Sequence, residues 1–130
     1  MIELIDVNYR VDKYAILTGI NLKIHTGECI LLAGESGSGK TTLTQLINGL
    51  IPHFYSHGQL DGDVCVQGDP VAETWMYKLA EKIGNVFQNP KSQFFYTDSS
   101  AEIAFGLENR GVPPEKIRQR IVTTANDLGI

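Results

Sequence analysis

Eight residues, Gly34 to Thr41 with the sequence GESGSGKT, form a glycine-rich segment between an apolar run and a helical pattern. The apolar run is Cys29 to Ala33, a short continuous stretch typical of a strand buried on both faces. After the segment, apolar residues recur with the period of an amphipathic helix, which we expect to end near Gly49 and Pro52. Strand, glycine-rich loop and helix in this order predict an α/β fold.

The segment satisfies the P-loop pattern in full, with Gly34 followed after four residues by Gly39, Lys40 and Thr41. Glycines let the backbone curl so that its N–H groups face phosphate oxygens, and the helix N-terminus adds a partial positive charge. Lys40 would reach the β and γ phosphates, and the hydroxyl of Thr41 would take one Mg²⁺ coordination position. A chance glycine-rich turn is the alternative, but the flanking strand and helix favour nucleoside triphosphate binding.

Further strands are predicted on both sides of this loop. Ile2 to Tyr9 and Ile20 to Ile24 alternate as half-buried strands, and we expect them to pair antiparallel. Asp61 to Gln67 alternates as a surface strand with its valines turned inward. Ile83 to Gln88 predicts another strand, which places Gln88 at a strand's carboxyl end, before a polar loop.

Two helices are predicted in the last third of the chain. Ser99 and Glu102 have the spacing of a capping box, and the helix that they begin would stop at Gly111. A second helix would start at Pro113 or Pro114. Its apolar stripe consists of Ile117, Ile121, Ala125 and Leu128. Such a stripe needs a partner to cover it.

Composition excludes several classes of protein. The 130 residues carry a net charge of −4, which disfavours nucleic acid as a partner. No apolar run approaches the roughly 20 residues that span a bilayer. Cys29 and Cys65 lie far apart in strand-like runs, so we expect both to be reduced residues of the core or sheet. No signal peptide pattern follows Met1, and a cytoplasmic location is expected.

Two strands and a loop precede the phosphate strand here, whereas in P-loop kinases that strand usually opens the domain. With HTGECILLAGESGSGKTTLTQLINGL and IGNVFQ, this order resembles the ATP-binding subunit of ATP-binding cassette (ABC) transporters. FQNPKSQFF and SSAEIAFGLENRGVP further resemble the ATPases of energy-coupling factor transporters, which drive uptake of vitamins and metal ions such as cobalt. The resemblance covers essentially all 130 residues.

The resemblance implies a P-loop NTPase core of the ABC ATPase type, preceded by an antiparallel β subdomain and truncated before the Walker B strand. It implies ATP and Mg²⁺ as cofactors. Tyr9 would stack on adenine, with Tyr14 as a rival and an ordinary edge-strand tyrosine as the alternative. The phosphates would be held by Gly34, Ser36, Gly37, Ser38, Gly39, Lys40, Thr41 and Thr42.

Gln88 would be the Q-loop residue, touching Mg²⁺ and the attacking water, while its loop contacts a membrane subunit. Metal contacts would thus come from Thr41 and Gln88, and catalytic roles would fall to Lys40 and Gln88. A loop amide that caps a strand end is the alternative for Gln88. His53 and His57 flank two aromatic residues but lack acidic or cysteine companions, and we assign no metal to them.

Three parts that the family uses for hydrolysis are not found among these residues: an LSGGQ-type signature, a Walker B Asp-Glu pair and a switch histidine. We therefore expect residues 1–130 to be the N-terminal part of a longer ABC ATPase domain, holding the β subdomain, P-loop, Q-loop and the start of the helical subdomain. Alone, it would bind nucleotide weakly and not turn over.

In its longer parent, the resemblance implies ATP hydrolysis by a homodimer or heterodimer of ATPase subunits at the cytoplasmic face of the membrane. That hydrolysis would power import of a vitamin or metal ion through integral membrane subunits. Two alternatives remain open at this point. One is a P-loop small-molecule kinase, and the other is a non-catalytic module that docks through its β subdomain and the Gln93 to Phe105 surface.

Overall fold

The computed structural model describes residues 1–130, which form two compact units, Met1–Asn85 and Val86–Ile130. The first unit holds a sheet and three helices: β1 Ile2–Val11, β2 Tyr14–Ile24, α1 Lys40–Ile47, the short α2 Leu50–His53, β3 Gly58–Val66, β4 Asp69–Pro70 and α3 Met76–Lys82. The second unit is helical: a 3₁₀ turn Pro90–Gln93, α4 Ser99–Glu108 and α5 Pro114–Leu128. No helix has the length and apolar character that a bilayer crossing requires.

The sheet of the first unit has the order β2-β1-β3-β4, and every neighbouring pair is antiparallel. The predicted pairing of the two N-terminal strands is confirmed, with Ile2 opposite Ile24. The strand predicted at Asp61 to Gln67 is also confirmed as β3, and its Val64 and Val66 are buried. The N-terminal antiparallel β subdomain is therefore present.

Helix α1 forms over the predicted apolar period and covers one side of this sheet. Leu43 and Leu46 are buried in one core cluster with β-strand residues such as Leu4 and Leu17. Burying a leucine side chain stabilises a fold by about 1.5–3 kcal/mol. This packing fixes the start of α1, and hence the glycine-rich loop before it, against the sheet.

Two of the strand predictions are wrong. Cys29 to Ala33 and Ile83 to Gln88 form no β-strand, and Leu31 is 89% exposed while Val86 is 80% exposed. The sequence pattern identified apolar, extended segments, but a strand also needs a hydrogen-bonded neighbour. The four strands of the sheet are other segments, so neither run has one within the described chain.

Helix α4 begins one residue earlier than the predicted capping box. Asp98 is the N-cap, and its carboxylate accepts a hydrogen bond from the amide of Ala101 at 2.8 Å. Ser99 is the first helical residue, so its predicted capping role is wrong. Glu102 instead accepts from the amides of Phe95 and Tyr96, both at 3.0 Å. Helix α5 follows as predicted and buries Ile117.

The two cysteines lie in different environments. Cys65 lies on β3 and is half-buried. Cys29 is exposed and its segment joins no sheet, so the prediction that it lies in the core or sheet is wrong. Burial raises the pKa of the Cys65 thiol, and the nearby carboxylates of Asp63, Glu3 and Asp69 raise it further. Both thiols are free.

Candidate phosphate-binding site

The glycine-rich loop curls directly before α1, and two of its glycines have backbone angles that favour glycine. Gly37 has a φ of 84° and Gly39 a φ of 86°. Both values lie in the left-handed region, where a side chain is strained. Gly39 is also the N-cap of α1. The GxGK pattern is thus a conformational requirement of this turn.

Gly39 is held against strand β2. A Cβ atom built on it would lie 3.1 Å from the carbonyl oxygen of Ile16 and 2.8 Å from Cδ2 of Leu17. A larger residue would fit there only if the Leu17 side chain moved and the neighbouring backbone shifted slightly. The sequence pattern required glycine at this position but gave no indication of which strand lies against it.

Lys40 points back into the loop. Its Nζ atom donates to the carbonyl oxygens of Gly34 at 2.9 Å and Glu35 at 2.6 Å, and to Oγ of Ser38 at 3.3 Å. Three oxygens therefore fix the ammonium inside the curl. This arrangement places a positive charge where the P-loop pattern predicts one.

The N-terminus of α1 is open to a ligand. Its N-cap makes no side-chain hydrogen bond, and its first turn carries no acidic residue. The first amides of a helix have no partner within the helix and carry the positive end of its dipole. Thr41 is exposed in this first turn, and Thr42 beside it is half-buried. Open amides, a fixed ammonium and an exposed hydroxyl together form a donor set that fits a polyphosphate and Mg²⁺.

The aromatic residues differ from the expectation. Tyr9 is only 4% exposed, and its ring lies against the backbone of Gly58, where no Cβ atom would fit. A buried ring offers no open face for stacking, so the structure disfavours the adenine role of Tyr9. Tyr14 is 64% exposed at the start of β2, with Nζ of Lys13 at 5.5 Å from its ring centroid.

The remaining candidates lie elsewhere. Gln88 belongs to the second unit and is exposed in the bend before the 3₁₀ turn. It does not end a strand as predicted, because Ile83 to Gln88 forms none. His53 places Nε2 at 2.9 Å from the carbonyl oxygen of Val71, and the ring of His57 meets that of Tyr55 edge to face. These contacts give both histidines structural partners.

Comparison with protein families decides which class of P-loop protein this is. The family model described as ABC transporter matches residues 17–130, which include the loop, α1 and the whole second unit. The chain belongs to the ABC transporter family. This membership confirms the α/β fold class expected from the resemblance and removes support from the kinase alternative.

Known ABC transporter proteins align with nearly the whole chain. A protein of Treponema denticola, provisionally named an ABC transporter ATP-binding protein, is 48% identical over 97% of this chain and 26% of its own length. A second, from Caldanaerobacter subterraneus, is 51% identical over 85% of the chain and 19% of its own length.

The energy-coupling factor transporter ATP-binding protein EcfA1 of Bacillus subtilis is 39% identical over 93% of the chain. The alignment covers 42% of that ABC protein. The chain thus spans from about a fifth to about two-fifths of the length of these three relatives.

Proposed function

We propose that this chain binds ATP with Mg²⁺ through residues Gly34 to Thr42 and forms the nucleotide-binding part of an ABC transporter ATPase. The observation that carries the proposal is the ammonium of Lys40, fixed inside the loop by three oxygens beside the open N-terminus of α1. Exchange of these oxygens for phosphate oxygens would let Lys40 bind the β and γ phosphates. Membership of the ABC transporter family supports ATP as the nucleotide.

The other loop residues have separate roles in this proposal. Backbone amides between Ser36 and Thr42 would hold phosphate oxygens, because the helix start leaves its first amides open. The amide of Ser38 is an exception, since it donates to the carbonyl oxygen of Glu35 at 3.2 Å. The hydroxyl of Thr41 is the candidate Mg²⁺ ligand of the first unit. For Gln88, in the second unit, the Q-loop role stays a prediction from the family resemblance. Bound Mg²⁺ would neutralise part of the phosphate charge. An amide suits Gln88 because it supplies a ligand oxygen without adding charge, and donors for a water.

For the adenine ring, we favour Tyr14 over Tyr9. Tyr14 is the first residue of β2 and lies two residues before Ile16, about 7 Å along the strand. Ile16 is the residue whose Cγ2 and carbonyl oxygen approach Gly39. An exposed tyrosine at this end of β2 could stack on a base held by its phosphates in the loop. The ammonium of Lys13 leaves the opposite ring face for the base.

The finer part of the proposal concerns the whole transporter. Two ATPase subunits, alike or different, would enclose ATP at the cytoplasmic face of the membrane and hydrolyse it to drive import through integral membrane subunits. The 39% identity to EcfA1 supports an energy-coupling factor type, with a vitamin or metal ion as cargo. The 130 residues hold no Walker B carboxylates to orient a water, so we expect them to bind ATP without turnover.

A calorimetric titration of Mg-ATP into the full chain tests the proposal. Lys40→Ala should weaken binding about tenfold or more, since it removes a charged donor to the phosphates. Lys78→Ala is the matched control, because Lys78 is an exposed lysine on α3. Equal affinities for the two variants, or no binding by the unaltered chain, would refute the phosphate role of the loop.

A further inference from the structure

Glu35, the second residue of the phosphate-binding loop, carries a carboxylate. It follows Gly34 directly, is exposed, and its side chain has no hydrogen bond or ion pair in the structure. Its hydrogen bond with Lys40 is made by the backbone carbonyl oxygen. Since the loop residues Gly34 to Thr42 contain one lysine and one glutamate, Glu35 cancels the formal charge of Lys40. A loop built for a polyanion thus carries no net formal charge.

The carboxylate lies within electrostatic reach of the site. The Glu35 carbonyl oxygen is 2.6 Å from Nζ of Lys40. Standard covalent geometry then places Cα of Glu35 within about 5 Å of the ammonium, and the carboxylate within about 10 Å. That distance is about one Debye length at 0.1 M salt, so the charge is not fully screened. A phosphate bound at Lys40 would experience repulsion from Glu35.

We infer that Glu35 is a specificity residue that makes the loop select magnesium-bound nucleotide over metal-free nucleotide. The inference rests on the proposed nucleotide binding. Repulsion by the carboxylate scales with the charge of the phosphates, and bound Mg²⁺ cancels part of that charge. The penalty is therefore larger for metal-free ATP than for Mg-ATP. The loop amides and Lys40 contribute to the binding of both forms of ATP. Glu35 weakens the binding of metal-free ATP more than the binding of Mg-ATP.

Titrations of ATP into the full chain test this role, with excess Mg²⁺ in one series and EDTA in the other. At low salt, Glu35→Gln should tighten binding of metal-free ATP about threefold to tenfold and binding of Mg-ATP by less. Both gains should shrink at 0.5 M salt, where the Debye length is only about 4 Å. Glu35→Asp retains the charge and should keep the preference for Mg-ATP.

Glu73→Gln is the matched control, because Glu73 is an exposed glutamate outside the loop and its loss changes the net charge equally. It should leave both affinities unchanged. If Glu35→Gln matches the unaltered chain with EDTA at low salt, or if Glu73→Gln tightens binding as much, the inference is overturned while nucleotide binding stands. If the unaltered chain binds no ATP, the proposed function fails and the inference fails with it.

Discussion

Gly39 lies so close to Ile16 that a methyl group on its Cα would be 3.1 Å from the Ile16 carbonyl oxygen. The residue before α1 therefore lies directly against the backbone of strand β2, with the Leu17 side chain beside it. This contact holds the end of the phosphate-binding loop against strand β2. It also places the N-terminus of α1 next to the strand that carries Tyr14.

Gly39→Ala should disrupt the loop. The substitution adds a clash with Ile16 and Leu17 to the strain of a φ of 86°. Gly68→Ala is a matched control, because Gly68 has a φ of 88° but open space around its Cα. We expect Gly68→Ala to cost about 1 kcal/mol of unfolding free energy and Gly39→Ala clearly more, measured by chemical denaturation. Equal losses of unfolding free energy in the two variants would mean that the close contact of Gly39 with β2 does not affect stability.

Tyr14→Ala should weaken ATP binding by severalfold, because a base–aromatic stack is worth about 1–3 kcal/mol. Tyr77 serves as control, since it is also 64% exposed but lies on α3. Tyr77→Ala should leave the affinity unchanged. Inorganic triphosphate, which has no base, should bind the unaltered chain and Tyr14→Ala equally. A loss with triphosphate as large as the loss with ATP would contradict the stacking role.

The two cysteines should react at different rates with iodoacetamide. Cys29 is exposed, whereas Cys65 is half-buried and its thiol pKa is raised by burial and by neighbouring carboxylates. Because the thiolate is the nucleophile, Cys65 should be labelled more slowly near neutral pH. Its rate should keep rising past the pH at which an unfolded thiol is fully ionised. Single Cys29→Ser and Cys65→Ser variants assign the rates, and similar labelling of both in the folded chain would contradict this.

The raised pKa of Cys65 also predicts a pH dependence of stability. The folded state binds the thiol proton more tightly than the unfolded state does, so its contribution is fully present below the pKa of the unfolded thiol. It is lost as the pH rises through the folded pKa. The unfolding free energy should thus fall more steeply with alkaline pH in the unaltered chain than in Cys65→Ser. Parallel curves would show that the Cys65 thiol does not titrate differently in the two states.

Asp98→Ala should loosen the first turn of α4. It removes the carboxylate that accepts from the amide of Ala101, and loss of such a cap typically costs about 1 kcal/mol. Hydrogen exchange at the Ala101 amide should accelerate about fivefold or more. Ser99→Ala, which changes a first-turn residue that is not the cap, should leave that exchange rate nearly unchanged. Faster exchange of the Ala101 amide in Ser99→Ala than in Asp98→Ala would identify Ser99 as the cap.

Local patterns predicted the elements that are stabilised within this chain. The period of Leu43 and Leu46 predicted α1, and the alternation at Val64 and Val66 predicted β3, because each pattern reports a face that meets the core. The GxGK spacing located the loop because those backbone angles require glycine. The resemblance to ABC transporters was confirmed over residues 17–130, which include this loop.

The remaining features depend on neighbours that a linear pattern does not name. Apolar content at Cys29 to Ala33 indicated a strand, but pairing decides whether one forms. Nothing in the local sequence separates Tyr9 from Tyr14, and the fold shows that the Tyr9 ring is buried against Gly58. The Asp98 cap could have been found from sequence, because aspartate is at least as good an N-cap as serine. No feature of the sequence indicated the contact of Gly39 with Ile16.

The most direct test of phosphate binding by the loop is a ¹⁵N-¹H NMR titration of the full chain with Mg-ATP. We expect the largest amide shift changes on Ser36 to Thr42, and Lys40→Ala should abolish them at the same ATP concentration. Shift changes confined to other segments, or changes in the loop that persist unaltered in Lys40→Ala, would contradict it.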